Sequence, residues 1–288
     1  MRAFSPAFHV GQGLSAAKTC PGAAPRGRRH DSDRRPEVTD TDEWVQQIPL
    51  QALPEQVATT IADLAFAGRY IPAGPNEEPI AGDFYDLLRL DDDLVAVVVG
   101  DVAGHGETAL ARMRQLRAAT RAYAIQGGGA GSVIARLDRF CARLDAEAIA
   151  TIWYGEYRPS SGTLTYASAG HPPPVLTSHG GRTRLLHEAV APPLGVDASE
   201  RGVQEHSEVL PVGAVLVAYS DGLVERRGTD VDRQLALLRE VVDEACDPTT
   251  GEPAQETAAR ILDTLVPDPD LAEDDVCLLV IRREPRPA

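Results

Sequence analysis

The sequence predicts an α+β fold built on antiparallel sheets, and three observations carry that expectation. Apolar, β-rich runs recur along the chain, as at Leu94–Gly100, Ala214–Ser220 and Val276–Ile281. Helical periodicities are set apart from these runs instead of alternating with them, which disfavours a βαβ repeat. Ile149–Tyr157 and Thr163–Ala169 flank Pro159–Gly162, a strong hairpin signal that makes neighbouring strands antiparallel.

Taken in order, residues 1–45 lack periodicity and are rich in Gly, Pro, Ser, Arg and Asp, so they read as a disordered basic leader. Trp44, Ile48, Leu50, Leu53, Val57, Ile61 and Leu64 recur at roughly helical spacing, interrupted by Pro49 and Pro54. Residues 46–63 are therefore expected to form a short lead-in helix or linker, with the folded domain at 64–284 and a tail at 285–288. Glu107–Ile125 places Leu110, Met113, Leu116, Thr120 and Tyr123 on one helical face, with Arg112, Arg114, Arg117 and Arg121 largely off it. Gly127–Gly129 ends that helix. A second helix is expected from Ser132, read as its N-cap, to residue 146, with Val133, Leu137, Phe140, Cys141 and Leu144 as its stripe. After the hairpin, a strand ends at Ser220, helical segments occupy 235–245 and 254–265, and Val276–Ile281 closes the domain.

Composition narrows the function. The 288 residues carry a net charge of −15. Residues 1–36 hold seven Lys or Arg against Asp31 and Asp33, a net +5, which leaves −20 for the rest. So acidic a body repels nucleic acid and anionic membrane and suits divalent cations or a basic protein. No apolar stretch approaches the ~20 residues that span a bilayer, and the N-terminus lacks the continuous apolar segment of a secretion signal. Cys20, Cys141, Cys246 and Cys277 show neither zinc-ligand nor CxxC spacing. Cys141 and Cys277 sit in apolar runs and read as core residues. A cytoplasmic location is the expectation.

Four acidic clusters stand at the lips of apolar runs: Asp83 and Asp86 in IAGDFYD, Asp101 in GDVAGHG, Asp221 in SDGLVE, and Asp274-Asp275 before VCLLVI. Taken singly, an Asp-Gly pair reads as a turn and a doubled Asp as a solvated loop. Together they can converge at one sheet edge, where carboxylates repel one another unless a cation lies between them. A hard divalent cation with oxygen ligands is the usual resolution. GDVAGHG is neither a phosphate loop nor a dinucleotide fingerprint, because no Lys follows and GxGxxG is absent.

These clusters resemble, in order and with their flanks, the metal-dependent PPM protein phosphatases, specifically the SpoIIE-like bacterial branch whose members regulate sigma factors. The matching stretches are GRYIPAG (68–74), AGDFYD (81–86), GDVAGHG (100–106), MRQLRAATRAYA (113–124), SAGHPPP (168–174), PPLGV (192–196), YSDGLVERR (219–227) and EDDVCLLVIRR (273–283). The resemblance implies two packed antiparallel sheets flanked by helices, an αββα sandwich with a metal site in the cleft at one sheet edge. It implies Asp83, Asp101, Asp221 and Asp274 as catalytic carboxylates acting through two Mn²⁺ or Mg²⁺ ions, with the Val102 backbone carbonyl as a further ligand and Asp101 as the bridge. Whether Asp274 or its neighbour Asp275 faces the metal stays open. Two ions about 3.5–4 Å apart would acidify a shared water for in-line attack on phosphorus.

Ala81 stands where the branch commonly has Gly, and Cys277 where it has Thr or Ala. His105 lies four residues after Asp101, whereas eukaryotic relatives place a useful histidine two after; a buried, hydrogen-bonded structural role is expected for it. His171, in a Gly-His-Pro-Pro-Pro corner, is also read as structural, and Glu225 as a salt-bridging residue without a catalytic part. The two helices after GDVAGHG act as a switch in relatives of this branch. The expected function is hydrolysis of phosphoserine or phosphothreonine on a protein, an anti-anti-sigma-type regulator in a partner-switching pathway. Control would come from an activating partner protein or from homodimerisation through 44–64. The rival readings are a catalytically silent binding module of the same fold and a hydrolase of small phosphate esters.

Overall fold

The computed structural model describes residues 56–73, 82–144, 149–177, 183–196, 202–225, 228–245, 252–269 and 272–286, all within one unit spanning 40–288. The leader, Cys20, Cys246, Ala81 and the Arg226-Arg227 partners expected for Glu225 lie outside these residues.

Two six-stranded sheets organise the chain. The first contains β1 (Gln56–Ile61), β2 (Leu64–Ile71), β12 (Val276–Arg283), β11 (Val215–Tyr219), β7 (Val175–Thr177) and β8 (Arg184–Leu185), in that spatial order. The second runs β10 (His206–Val209), β6 (Thr163–Ala169), β5 (Ala150–Arg158), β4 (Leu94–Val102) and β3 (Phe84–Asp91), with β9 (Val190–Ala191) pairing β6. All pairings are antiparallel except β6 with β9. The period-two alternation of a strand explains how the sheets stack. Along β4, Val95, Val97 and Val99 join Tyr85, Trp153, Tyr157, Leu279 and Ile281 in the layer between the sheets. Ala96, Val98 and Val102 face the other way, onto α1 (Gly106–Gln126) and α2 (Ala130–Leu144). On the far side, Val217, Tyr219 and Val280 pack against α3 (Val231–Ala245) and α4 (Ala254–Leu265). The result is the αββα sandwich the sequence resemblance implies.

The segment 46–63 differs from the lead-in helix or linker expected of it. Its described part contains β1, paired with β2 from Gln56↔Arg69 to Ile61↔Leu64. Val57, Thr59 and Ile61 alternate inward along an edge strand, and the two-residue turn that follows puts Ala62 at φ 56°. The apolar spacing of Val57, Ile61 and Leu64 suits a helix equally well; pairing with β2 decides between them. The domain therefore includes at least residues 56–63, and the part of 44–64 from Gln56 to Ile61 is strand, not a dimerisation helix.

Both helices on the second sheet begin near their expected places. The N-cap of α2 is not Ser132, which lies inside the helix. The turn is made by Gly129 at φ 88°, and the Gly131 amide donates to the Glu205 carboxylate at 2.7 Å, so a distant acid satisfies the open helix end. Arg117 departs most from expectation: it is completely buried. Cys141 and Cys277 are buried thiols, as expected. No helix among the described residues is long and apolar enough to cross a membrane.

Candidate metal centre

Strand register brings the acidic clusters to one edge. Phe84 lies opposite Gly100, so Asp83 and Asp101 stand abreast at the tip of the second sheet. Tyr219 lies opposite Leu278 and Val276 opposite Ile71, so Asp221 and Asp274-Asp275 stand at the matching tip of the first. Each sheet thus contributes carboxylates to the same end of the layer between them.

Close backbone packing fixes this edge. The Val102 amide donates to the Gly82 carbonyl at 3.1 Å. A Cβ at Gly82 would lie 2.3 Å from the Val102 carbonyl oxygen and 2.9 Å from Asp101 Oδ1. Across the cleft, a Cβ at Gly222 would lie 2.2 Å from the Asp275 carbonyl oxygen. Asp221 opens a short 3₁₀ turn, Asp221–Leu223, whose carbonyl accepts from the amides of Val224 and Glu225 at 2.8 and 2.7 Å. The Asp-Gly pair is therefore both a turn and an acidic site.

The carboxylates feel one another strongly. Burial, then repulsion from Asp221 and Asp274, lifts Asp101 to about 7. Asp83 is pushed well above the usual carboxylate range, first by burial and then by Asp101. Asp221 and Asp275 are raised as well, chiefly by burial. Asp83 is 3 % exposed and its Oδ2 has no hydrogen-bond partner among the described residues. Among the described residues, no three His, Cys, Asp or Glu side chains stand close enough together to form a ready metal-binding group. An orphaned buried oxygen and an all-oxygen set of mutually repelling carboxylates fit a hard divalent cation.

Asp274 and Asp275 have different surroundings. Asp275 Oδ1 accepts from the Tyr70 hydroxyl at 3.1 Å and the Ala73 amide at 2.9 Å. Asp274 is exposed, and its Oδ1 accepts only the neighbouring Asp275 amide, at 2.9 Å, among the hydrogen bonds of the described residues. Tyr70 and Ser220, which the sequence reading did not single out, brace the site. The Ser220 hydroxyl accepts the Cys277 amide at 2.8 Å and tempers the raised pKa of Asp83.

His171 behaves as the structural residue expected. It is 4 % exposed, its Nδ1 pairs with the Thr151 hydroxyl at 2.8 Å, and burial lowers its pKa to about 3. His105 does not. It is exposed at the N-cap of α1 and its side chain makes no capping hydrogen bond; the loop before the helix turns it to solvent and not into the core. Glu225 is exposed.

The fold is shared with known proteins. Phosphoserine phosphatase RsbU of Bacillus subtilis is 28% identical over 207 residues, covering 71% of this chain and 60% of that protein. The RsbU and RsbW domains of a Mycobacterium tuberculosis protein superpose with a TM-score of 0.72 at 29% identity, covering 81% of this chain and 63% of that one. RsbX, solved in complex with magnesium, shares the fold at a TM-score of 0.60 and 15% identity, covering 79% of this chain and 98% of that one. The chain thus spans less than two thirds of the length of the first two. The family model described as stage II sporulation protein E (SpoIIE) matches residues 91–284, which take in Asp101, Asp221, Asp274 and Asp275, and the chain belongs to that family.

Proposed function

We propose that this chain is a metal-dependent protein phosphatase that hydrolyses phosphoserine or phosphothreonine, with Asp83, Asp101, Asp221, Asp274 and the Val102 carbonyl holding the metal. The observation that carries this reading is the buried Asp83 oxygen without a partner, set beside Asp101 and facing carboxylates from the opposite sheet. When bound, two Mn²⁺ or Mg²⁺ ions would acidify a water and neutralise phosphoryl charge. Asp101 feels both Asp83 and Asp221, which suits the bridging position. Asp274 takes the ligand role because Asp275 is engaged by Tyr70 and Ala73; Asp275 braces the strand end instead. Neither described cysteine, Cys141 nor Cys277, suits a nucleophile, since burial raises both thiols.

The substrate we propose is a phosphorylated anti-anti-sigma-type regulator, acted on in the cytoplasm and under the control of a partner protein. Family membership and likeness to an enzyme named as a phosphoserine phosphatase support this. The test is hydrolysis of p-nitrophenyl phosphate and of a phosphoserine peptide with Mn²⁺, with EDTA, and by Asp221→Asn. Activity is expected with Mn²⁺ alone, and a fall of about 100-fold or more in the other two. Folded protein that binds Mn²⁺ without turnover would favour the silent binding module. Faster turnover of sugar or nucleotide phosphates than of the peptide would favour the small-ester hydrolase.

A further inference from the structure

One buried ionic cluster of the second sheet has no part in the proposed chemistry. Asp86, three residues after Asp83, is 1 % exposed on the helix-facing side of β3. Its Oδ2 accepts from Arg121 Nε at 2.6 Å and from Arg117 Nε at 3.3 Å. Its Oδ1 accepts from a terminal nitrogen of Arg121 at 2.9 Å, a terminal nitrogen of Arg117 at 3.4 Å and the Leu87 amide at 3.2 Å. The Arg117 side chain is fully buried and that of Arg121 is 12 % exposed. Two guanidinium forks thus close on one carboxylate, a geometry that fixes orientation as well as distance.

Position makes this cluster more than a stabilising contact. Both arginines project from α1, and α1 begins four residues after Val102. Arg117 lies about 16 Å along the helix from Gly106 at 1.5 Å per residue. At the other end of the same short run, Gly82 holds the Val102 amide and packs against Asp101 Oδ1. Between them, the Phe84 ring fills the space where Gly100 lacks a Cβ. Residues 82–86 therefore clasp the end of β4 at Asp101–Val102 with one end and the helix that follows β4 with the other. Only Ala103–His105 separate the end of β4 from α1, so the seat of α1 on β3 bears on Val102 through that short link.

We propose that Asp86, through Arg117 and Arg121, is the positioning residue of the metal centre: it sets where α1 sits on β3 and thereby sets the Val102 carbonyl and Asp101 against Asp83. This rests on the metal reading above. The cluster touches neither metal nor substrate; it acts by fixing the backbone that does.

The experiment is calorimetric titration of Mn²⁺ into the full chain, with amide hydrogen exchange of residues 106–117 measured on the same samples. Asp86→Asn is compared with Asp63→Asn, a control in a second buried cluster, where Asp63 accepts from the Tyr157 hydroxyl at 3.0 Å and Arg283 Nε at 3.1 Å in the β1–β2 turn. Asp86→Asn is expected to weaken Mn²⁺ binding at least tenfold and to speed exchange at the start of α1. Asp63→Asn is expected to lower the melting temperature while leaving Mn²⁺ affinity within twofold. Arg121→Gln keeps Arg117 on Asp86 and carries the same test if Asp86→Asn does not fold, with Arg121→Lys expected to restore part of the affinity. Wild-type binding with unchanged affinity in Asp86→Asn, or in Arg121→Gln where that variant stands in, overturns this inference alone. Wild-type protein that binds no Mn²⁺ overturns the metal reading and this inference together.

Discussion

Asp101 carries the sharpest consequence at the residue scale. Its carboxyl is lifted to about 7 in the folded chain, above the ~3.9 of an unfolded one. Between those values the folded state holds the proton more tightly, so this contribution to stability is complete at low pH and fades as pH rises through 7. The EDTA-treated protein is expected to melt several degrees lower at pH 7.5 than at pH 5, and saturating Mn²⁺ to remove the difference; a flat or rising profile without metal would contradict it. Gly82 gives a second residue-level expectation. Gly82→Ala drives a methyl into the Val102 carbonyl, so a loss of about 1–3 kcal/mol of stability with weakened Mn²⁺ binding is expected from denaturant melts and titration. Asp83, Asp101 and Asp221 were legible in the sequence because each sits in a local acidic cluster beside an apolar run. The different surroundings of Asp274 and Asp275 were not, since those of Asp275 are set by Tyr70 and Ala73, about 200 positions away. Arg117 was misplaced because a stripe drawn from apolar residues alone leaves out an arginine whose charge is met by a carboxylate on another element.

Among the elements, strands and helices with a single strong period were readable: β4, the β5–β6 hairpin, α1 and β12 lie within a few residues of their expected bounds. The β1 strand was not, because its Val57 and Ile61 satisfy two periods and only pairing with β2 selects one. The start of α2 was missed for a related reason. Ser132 offers a local cap, but three consecutive glycines let the chain turn earlier and Glu205 supplies the acceptor from afar. Glu205→Ala should therefore fray that end, with a cost of about 0.5–1 kcal/mol, seen as faster amide exchange at Gly131 and its neighbours. Unchanged exchange there would mean that the glycine turn alone holds the helix start.

For the whole molecule, the sandwich places two helical layers outside two sheets and leaves the carboxylates at one end of the inner layer. A ligand that binds only this assembled edge adds stability by mass action, about 2.7 kcal/mol at one hundred times its dissociation constant. Mn²⁺ is accordingly expected to raise the melting temperature of the wild type and to leave that of Asp221→Asn nearly unchanged; equal shifts in both would place the ion elsewhere.

The order of strands also says when this edge can exist. The strands β3, β4, β5 and β6 follow one another in sequence and in the second sheet, so that half can form as the chain emerges from the ribosome. The first sheet cannot, because β12 is wedged between β2 and β11, with eight paired positions on one side and five on the other. Until residues 276–283 have been synthesised, β2 and β11 have no common neighbour, and Asp221 waits without Asp274. A nascent chain stalled short of that point is half a sandwich with an open seam, and the acidic edge of this domain is assembled only once β12 has joined its two neighbours.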